Sequence, residues 1–291
     1  MSSRPACIGF IGGSGLYDID WLQNARWAEA KSSFGTPSDS LLKGELDGIP
    51  LVFLPRHGRG HKIPPTEVNY RANIDALKRA GVTDVIALSA VGSLREDLDP
   101  GTFVIVDQFV DRTVSRARSF FGAGLVAHVP MASPVCARLG DALEKSALQA
   151  GVRCIRGGTY VVIEGPQFST RAESEMYRRD SCDVIGMTNM PEARLAREAE
   201  LCYATVAMVT DWDCWKTDQE HVNVKRVMTT MAGNVKSARE MARLVVPRVR
   251  THPDFCPCGC DRALEGALMT APAARDPELV RRLEAVAGRV L

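Results

Sequence analysis

A chain of 291 residues that is 45% hydrophobic and 24% charged can bury a full core, which excludes a disordered or low-complexity protein. Its 36 Lys plus Arg stand against 35 Asp plus Glu, a formal net charge of +1 without long runs of either sign, and this argues against a nucleic-acid or membrane-surface partner. The apolar run before Gly12 is too short for a secretory h-region and no stretch reaches membrane-span length, so a cytoplasmic protein is expected.

Residues 7–11 predict a first strand, followed at once by Gly12-Gly13-Ser14-Gly15. Such a turn suits an anion, through free amides and a hydroxyl, but it lacks the third glycine of a dinucleotide fingerprint and a plain tight turn fits equally. Leu51–Leu54 predicts another strand, ending in Pro55-Arg56-His57-Gly58-Arg59-Gly60-His61. Guanidinium and imidazole donors on a glycine-flexed loop suit phosphate; a solvated basic loop is the alternative. A helix is predicted over 68–80 with Gly81 as its stop, then a buried strand from Asp84 into the small polar end Ser89-Ala90-Val91-Gly92-Ser93, where a ligand can approach the backbone. One further strand is expected over 102–109, and an Arg-, Phe- and Gly-rich loop containing His128 over 114–130.

Downstream, the pattern predicts a helix over 137–150, a strand over 158–163, and a helix over 171–179 capped by Thr170 or Ser169 with Glu173 in support. A short strand over 183–188 precedes a helix from Pro191-Glu192 to about residue 200. Residues 203–209 read as a strand buried on both faces, running into Asp211 and Asp213, and a long helix is expected over 222–246. The spacing of two predicts both carboxylates on one side of an extended chain, with Trp212 opposite. Two acids held that close push one pKa upward; the alternative is a capping Asp211 and a solvated Asp213. Alternating strands and helices predict one α/β domain over residues 1–291 with a mixed sheet flanked by helices, its core at about 7–250 and a C-terminal helical segment at about 251–291.

Six of nine cysteines (Cys7, Cys136, Cys154, Cys182, Cys202, Cys214) are scattered singly and read as buried reduced thiols. Cys256, Cys258 and Cys260 form a local cluster, but a structural zinc site normally needs two separated pairs and the sequence has no second cluster. A reduced, irregular connection ranks first for this segment and no metal is expected, with a strained local disulfide as the rival.

Ser14, Arg56, His57, Ser89 and Thr188 thus offer an anion cradle, Phe168 an aromatic face, and Asp211 with Asp213 a carboxylate pair, a set that fits a substrate with an anion, a sugar and a flat base. Ile11-Gly-Gly-Ser-Gly-Leu16, Arg56-His-Gly-Arg59, Val68-Asn-Tyr-Arg-Ala-Asn73, Gly92-Ser-Leu-Arg-Glu96, Asp107-Gln-Phe-Val-Asp-Arg-Thr113, Ile163-Glu-Gly-Pro166 and Thr210-Asp-Trp-Asp-Cys-Trp215 together resemble the methylthioadenosine phosphorylases, in order over about residues 7–250. The resemblance implies a homotrimeric nucleoside phosphorylase with inorganic phosphate as co-substrate and no metal or organic cofactor. It implies phosphate contacts from Ser14, Arg56, His57, Ser89, Ala90 and Thr188, with Met187 under the ribose. It places Phe168 and Ser169 near the purine, Val224 and Val227 beside the methylthio group, and His128 at the neighbouring subunit's site. Asp211, as general acid, and Asp213 would face adenine. The family's enzymes often carry Thr where this chain has Ser14 and Ser89, and Asn where it has Gly186. Rival readings are a phosphorylase for 6-oxopurine nucleosides or methylthioinosine, a non-catalytic nucleotide-binding regulator, and a metal-binding module centred on the C-terminal cysteines.

Overall fold

Two parallel ten-residue strands, Asp84–Ser93 and Cys202–Asp211, form the axis of the sheet, paired from Cys202 opposite Asp84 to Asp211 opposite Gly92. The computed structural model describes residues 3–13, 15–216 and 224–291. In chain order its strands are β1 (Ser3–Pro5), β2 (Ile8–Gly12), β3 (Gln23–Ala28), β4 (Leu41–Leu46), β5 (Ile49–Pro55), β6 (Asp84–Ser93) and β7 (Phe103–Ile105). They continue as β8 (Gln108–Asp111), β9 (Cys154–Arg156), β10 (Thr159–Val162), β11 (Val184–Gly186), β12 (Cys202–Asp211) and β13 (Thr251–Pro253). The helices are α1 (Tyr70–Arg79), α2 (Ala137–Gln149), α3 (Arg171–Arg179), α4 (Glu192–Glu198), α5 (Val224–Val245), α6 (Pro277–Arg282) and α7 (Glu284–Ala287).

The main sheet is mixed: β2 lies parallel to both β5 and β6, β12 parallel to β6, and β11 runs antiparallel to the far end of β6. Successive β6 side chains enter opposite apolar clusters. Val85, Ala87 and Val91 join α1 and α4 on one face, while Ile86 and Leu88 join α2 and α5 on the other. Burial on both faces is why β6 and β12 read as apolar runs rather than alternating patterns. Leu264, Ala267, Leu283 and Val286 of the C-terminal segment pack into the first of these clusters.

Several elements depart from the sequence reading. The strand expected over 102–109 is two strands: β7 pairs with β12 and β9, whereas β8 pairs with β10. The break comes at Asp107, whose carboxylate accepts from the Gly158 amide at 3.1 Å as the chain crosses between sheet edges. β3 and β4 were not foreseen; β3 is almost wholly exposed with an irregular register between Gln23 and Arg26, so it carries no hydrophobic alternation. The helix expected from residue 68 starts at Tyr70, because the Asn69 side chain accepts from the Ala72 amide and closes the first turn. The cap expected for α3 is present: of the two candidates it is Thr170, in a full capping box with Glu173. The Cys-rich connection is more ordered than foreseen: β13, just before it, pairs antiparallel with β1. The supposedly missing second cysteine pair exists in space. Cys256 and Cys260 meet Cys136 and Cys202 in a buried group, Cys136 lying 120 positions from Cys256.

Candidate active site

The carboxyl ends of the parallel strands converge. β2 and β5 end in register at Gly12 and Pro55, and the Arg56 amide donates to the Gly12 carbonyl at 2.9 Å, so the two glycine-rich turns are stitched together. β6 adds Ser89 and Ala90, and β12 adds Thr210 and Asp211, around one cavity of about 500 Å³. Of the residues singled out from the sequence, Arg56, His57, Ser89, Ala90 and Thr188 line this cavity. So do Phe168, Ser169, Met187, Asp211, Asp213 and Val227.

Its polar part is built around Arg56, which is 1% exposed. Nε and Nη2 each donate to the Glu192 carboxylate at 2.9 Å, and Nη1 donates to the Leu88 carbonyl at 3.0 Å. Burial disfavours the guanidinium charge, but Glu192 more than offsets it and Arg56 stays charged. Glu192 also accepts from the Tyr203 hydroxyl at 2.9 Å, and Tyr203 is in turn held by Asn189 at 2.6 Å. Ser89 and Thr188 share a hydrogen bond of 2.6 Å, and the Tyr160 hydroxyl reaches Ser89 at 3.1 Å.

His57, expected as an imidazole donor, carries no charge of its own to the cavity. Burial and the adjacent Arg56 charge push its pKa down to about 4, so the ring is neutral at pH 7. Its Nδ1 faces the Ile63 carbonyl at 2.9 Å; a neutral ring that donates there presents Nε2 as an acceptor. The ring stacks on His61, 4.3 Å between centroids.

At the carboxylate pair the chain is not extended. The β12 register shifts between Val209 and Asp211, and Asp213 has φ +51°, so a bulge followed by a left-handed turn brings both acids to one cavity. Asp211 is buried; its Oδ2 accepts from the Thr210 hydroxyl at 2.7 Å and its Oδ1 from the Asp213 amide at 2.9 Å. Glycine leaves room opposite: a Cβ on Gly92 would sit in tight contact, 3.1 Å from Asp211 Oδ1. Asp213 is the member pushed upward, to about 6, by burial first and also by the Asp211 charge. Val227, Met228 and Met231 of α5 supply an apolar wall, and Phe168 stands 49% exposed at the rim.

Residues 7–247 match the family model described as the phosphorylase superfamily. The S-methyl-5'-thioadenosine phosphorylase of Cereibacter sphaeroides is 58% identical over 98% of both chains, and that of Rhodospirillum rubrum 57% identical over 99% of this chain and 98% of its own. The chain belongs to the methylthioadenosine phosphorylase family. Among solved structures, a methylthioadenosine phosphorylase from an antarctic soil metagenomic library superposes with a TM-score of 0.90 at 44% identity, covering 97% of this chain and 99% of that one. The Schistosoma mansoni methylthioadenosine phosphorylase in complex with adenine follows at 0.79 and 40%, covering 84% and 91%.

The remaining nominated residues are Ser14, Val224 and His128. Ser14 lies outside the described residues, as does the side chain of Val224, the first residue of α5. His128 is exposed on the 114–130 loop, its amide bonded to the Ala267 carbonyl at 2.9 Å, and does not line the cavity. Conversely, sequence reading missed Glu192 and Tyr160. Glu192 read as an ordinary acid in a first helical turn, and nothing local reveals a partner 136 positions away. Tyr160 explains Gly186, where a Cβ would lie 2.2 Å from the Tyr160 hydroxyl.

Proposed function

We propose that the protein catalyses the reversible phosphorolysis of S-methyl-5'-thioadenosine to adenine and 5-methylthioribose 1-phosphate, in purine and methionine salvage. The observation that carries this reading is one cavity that unites the Arg56, Ser89 and Thr188 cluster with the Asp211–Asp213 pair and a Val–Met wall. Phosphate is the co-substrate and binds at Arg56 and the hydroxyls, with Ser14 and the Ala90 backbone beside them; no metal or organic cofactor takes part in the chemistry. As the bond from C1' to the purine breaks, its electron pair passes into the base, which takes a proton at N7, and a phosphate oxygen bonds to C1'. Asp211 acts at N7, and with Asp213 raised to about 6 a minor fraction of the pair still carries a proton near neutral pH and can pass it to the base. Phosphate stabilises the oxocarbenium-like ribosyl before capturing it. Met187 lies under the ribose, Phe168 and Ser169 hold the purine, and the Val227 side of α5 takes the methylthio group, which needs no polar partner.

The working form is a cytoplasmic homotrimer in which the exposed His128 reaches a neighbour's cavity. Sedimentation at nanomolar concentration tests this, and a fully active monomer refutes it. The reaction itself is tested by incubating the pure protein with a nucleoside panel with and without phosphate. Phosphate-dependent release of adenine supports the reading. Base release without phosphate, or no release, overturns it.

A further inference from the structure

Cys136, Cys202, Cys256 and Cys260 are all buried, and their four Sγ atoms lie within 4.8 Å of one another. Four thiolates around one ion at about 2.3 Å form a tetrahedron with edges of about 3.8 Å, and the Cys136 and Cys256 sulfurs stand 3.7 Å apart. A disulfide would require about 2.05 Å, and all nine cysteines are free. We propose that these four side chains form a structural site for a thiophilic, tetrahedral divalent ion, zinc above all.

The ligands come from three parts of the chain. Cys136 precedes α2, its amide donating to the Tyr203 carbonyl at 2.7 Å, and Cys202 opens β12. Cys256 and Cys260 lie on one turn of the C-terminal connection. There the Cys256 amide donates to the Asp261 carboxylate at 3.0 Å, the Gly259 amide closes on the Cys256 carbonyl at 2.8 Å, and Gly259 takes φ +66° to fold the second cysteine back. Cys258, between them, is no member of the four-sulfur group and is only partly buried.

The surroundings fit an anionic metal cluster. Binding is a proton exchange without redox change: one divalent ion and four thiols give a tetrathiolate complex of net charge −2 and four protons released to solvent. On the Cys202 side stand a guanidinium and an imidazole. Arg138 pairs with the buried Asp84, and His252 Nδ1 approaches the same carboxylate at 3.0 Å. Arg138 Nε and His252 Nε2 are buried without a hydrogen-bond partner among the described residues, and His252 and Cys202 offer ligand atoms within 4.8 Å of each other. A guanidinium N–H such as that of Arg138 is what thiolate sulfurs accept and what holds a metal site's outer shell. Cys202 and Asp211 terminate opposite ends of β12, about 30 Å apart at ~3.3 Å per residue, so the ion would pin the C-terminal connection to the sheet and take no part in turnover.

The test uses the full-length protein purified in reductant without chelator. Expected are one zinc per chain by elemental analysis and a sulfur-only metal shell at about 2.3 Å by X-ray absorption. Protein grown with Co²⁺ should show thiolate-to-cobalt charge-transfer and intense tetrahedral d–d bands. Cys202→Ser and Cys260→Ser should lose stoichiometric metal, Cys258→Ser should keep it, and stripping the metal should lower Tm while kcat/KM per folded chain is unchanged. Should the serine variants fail to fold, the cobalt spectrum of the parent decides. Metal-free protein with free thiols that takes up no Co²⁺, or disulfides among the four cysteines in the reduced preparation, overturns the proposal.

Discussion

Arg56 and Glu192 form a buried two-pronged ion pair, both N–O distances 2.9 Å, that ties the turn after β5 to the first residue of α4. The pair fixes the guanidinium before any ligand arrives, so it presents a set charge to the cavity without first having to be ordered. Replacing Glu192 with Gln leaves a buried cation uncompensated and should cost about 3–5 kcal/mol of stability. It should also raise KM for phosphate at least tenfold, with the nucleoside KM changing far less. Arg56→Ala should raise the phosphate requirement still further. Thermal unfolding with phosphate-varied kinetics checks both, and an unchanged phosphate dependence in both variants would remove Arg56 from the anion site.

Asp211 accepts at both oxygens, so it can take a hydrogen bond from a 6-amino group, whereas a 6-oxo group meets it acceptor to acceptor. Adenine nucleosides, methylthioadenosine first, should be cleaved much faster than their inosine counterparts, because leaving a buried polar group unpaired discriminates strongly. Asp211→Asn keeps the shape but adds a donor, and should lower methylthioadenosine turnover by about 10²-fold or more while narrowing or inverting that preference. The measurement is the ratio of kcat/KM for methylthioadenosine and methylthioinosine in parent and variant; a ratio that does not move takes base reading away from Asp211.

Asp213, at about 6, changes state within the working range. Above pH 6 it is ionised and only accepts; below, it gains a donor. The preference for the 6-amino substrate should therefore shrink as pH falls from 7.5 to 5.5, and Asp213→Asn should show no such pH dependence. Its raised pKa means that the folded state holds the proton more tightly than the unfolded chain, so this group's contribution to stability rises as pH falls from about 6 toward 4. Asp213→Asn should accordingly stabilise the fold at pH 7.5 by on the order of 1 kcal/mol after allowance for partial solvent access, read as a higher Tm, while turnover falls. A lower Tm counts against the burial cost assigned to this carboxyl.

Glu164 shows the opposite sign. Burial opposes its charge, but the amides of Val114 and Ser115, the Thr66 hydroxyl and Arg116 hold its pKa down to about 2. Its contribution is present above its unfolded value near 4.5 and lost as pH falls toward 2, so acid unfolding should begin in that window. Glu164→Gln should flatten the pH dependence of Tm there and loosen the 114–116 loop, as read by hydrogen exchange at those amides.

Gly186 and Tyr160 compete for one volume. Gly186→Ala should destabilise the protein by about 1–3 kcal/mol through overpacking, and Tyr160→Phe, which removes the hydroxyl 2.2 Å from the added Cβ, should recover part of that loss. Additive effects in the double variant would show that the two positions do not collide.

What the sequence determined by itself was whatever is encoded locally. The apolar runs of β6 and β12, the Thr170–Glu173 cap, and the small polar residues at strand ends were all legible, because burial on two faces, capping and close backbone approach each select residue types within a few positions. The motif series carried the phosphorylase family, and with it eleven of the cavity residues described above. Tertiary structure alone decided the rest. Glu192 finds Arg56 across 136 positions, and Cys256 finds Cys136 across 120, through strand order and helix docking that no window of sequence contains. The bulge and left-handed turn that bring Asp211 and Asp213 together depend on β12 being held against β6, where Gly92 leaves the room. His57 could be named from its neighbours in sequence, but its neutral ring is set by burial beside Arg56, a property of the packed site and not of the motif.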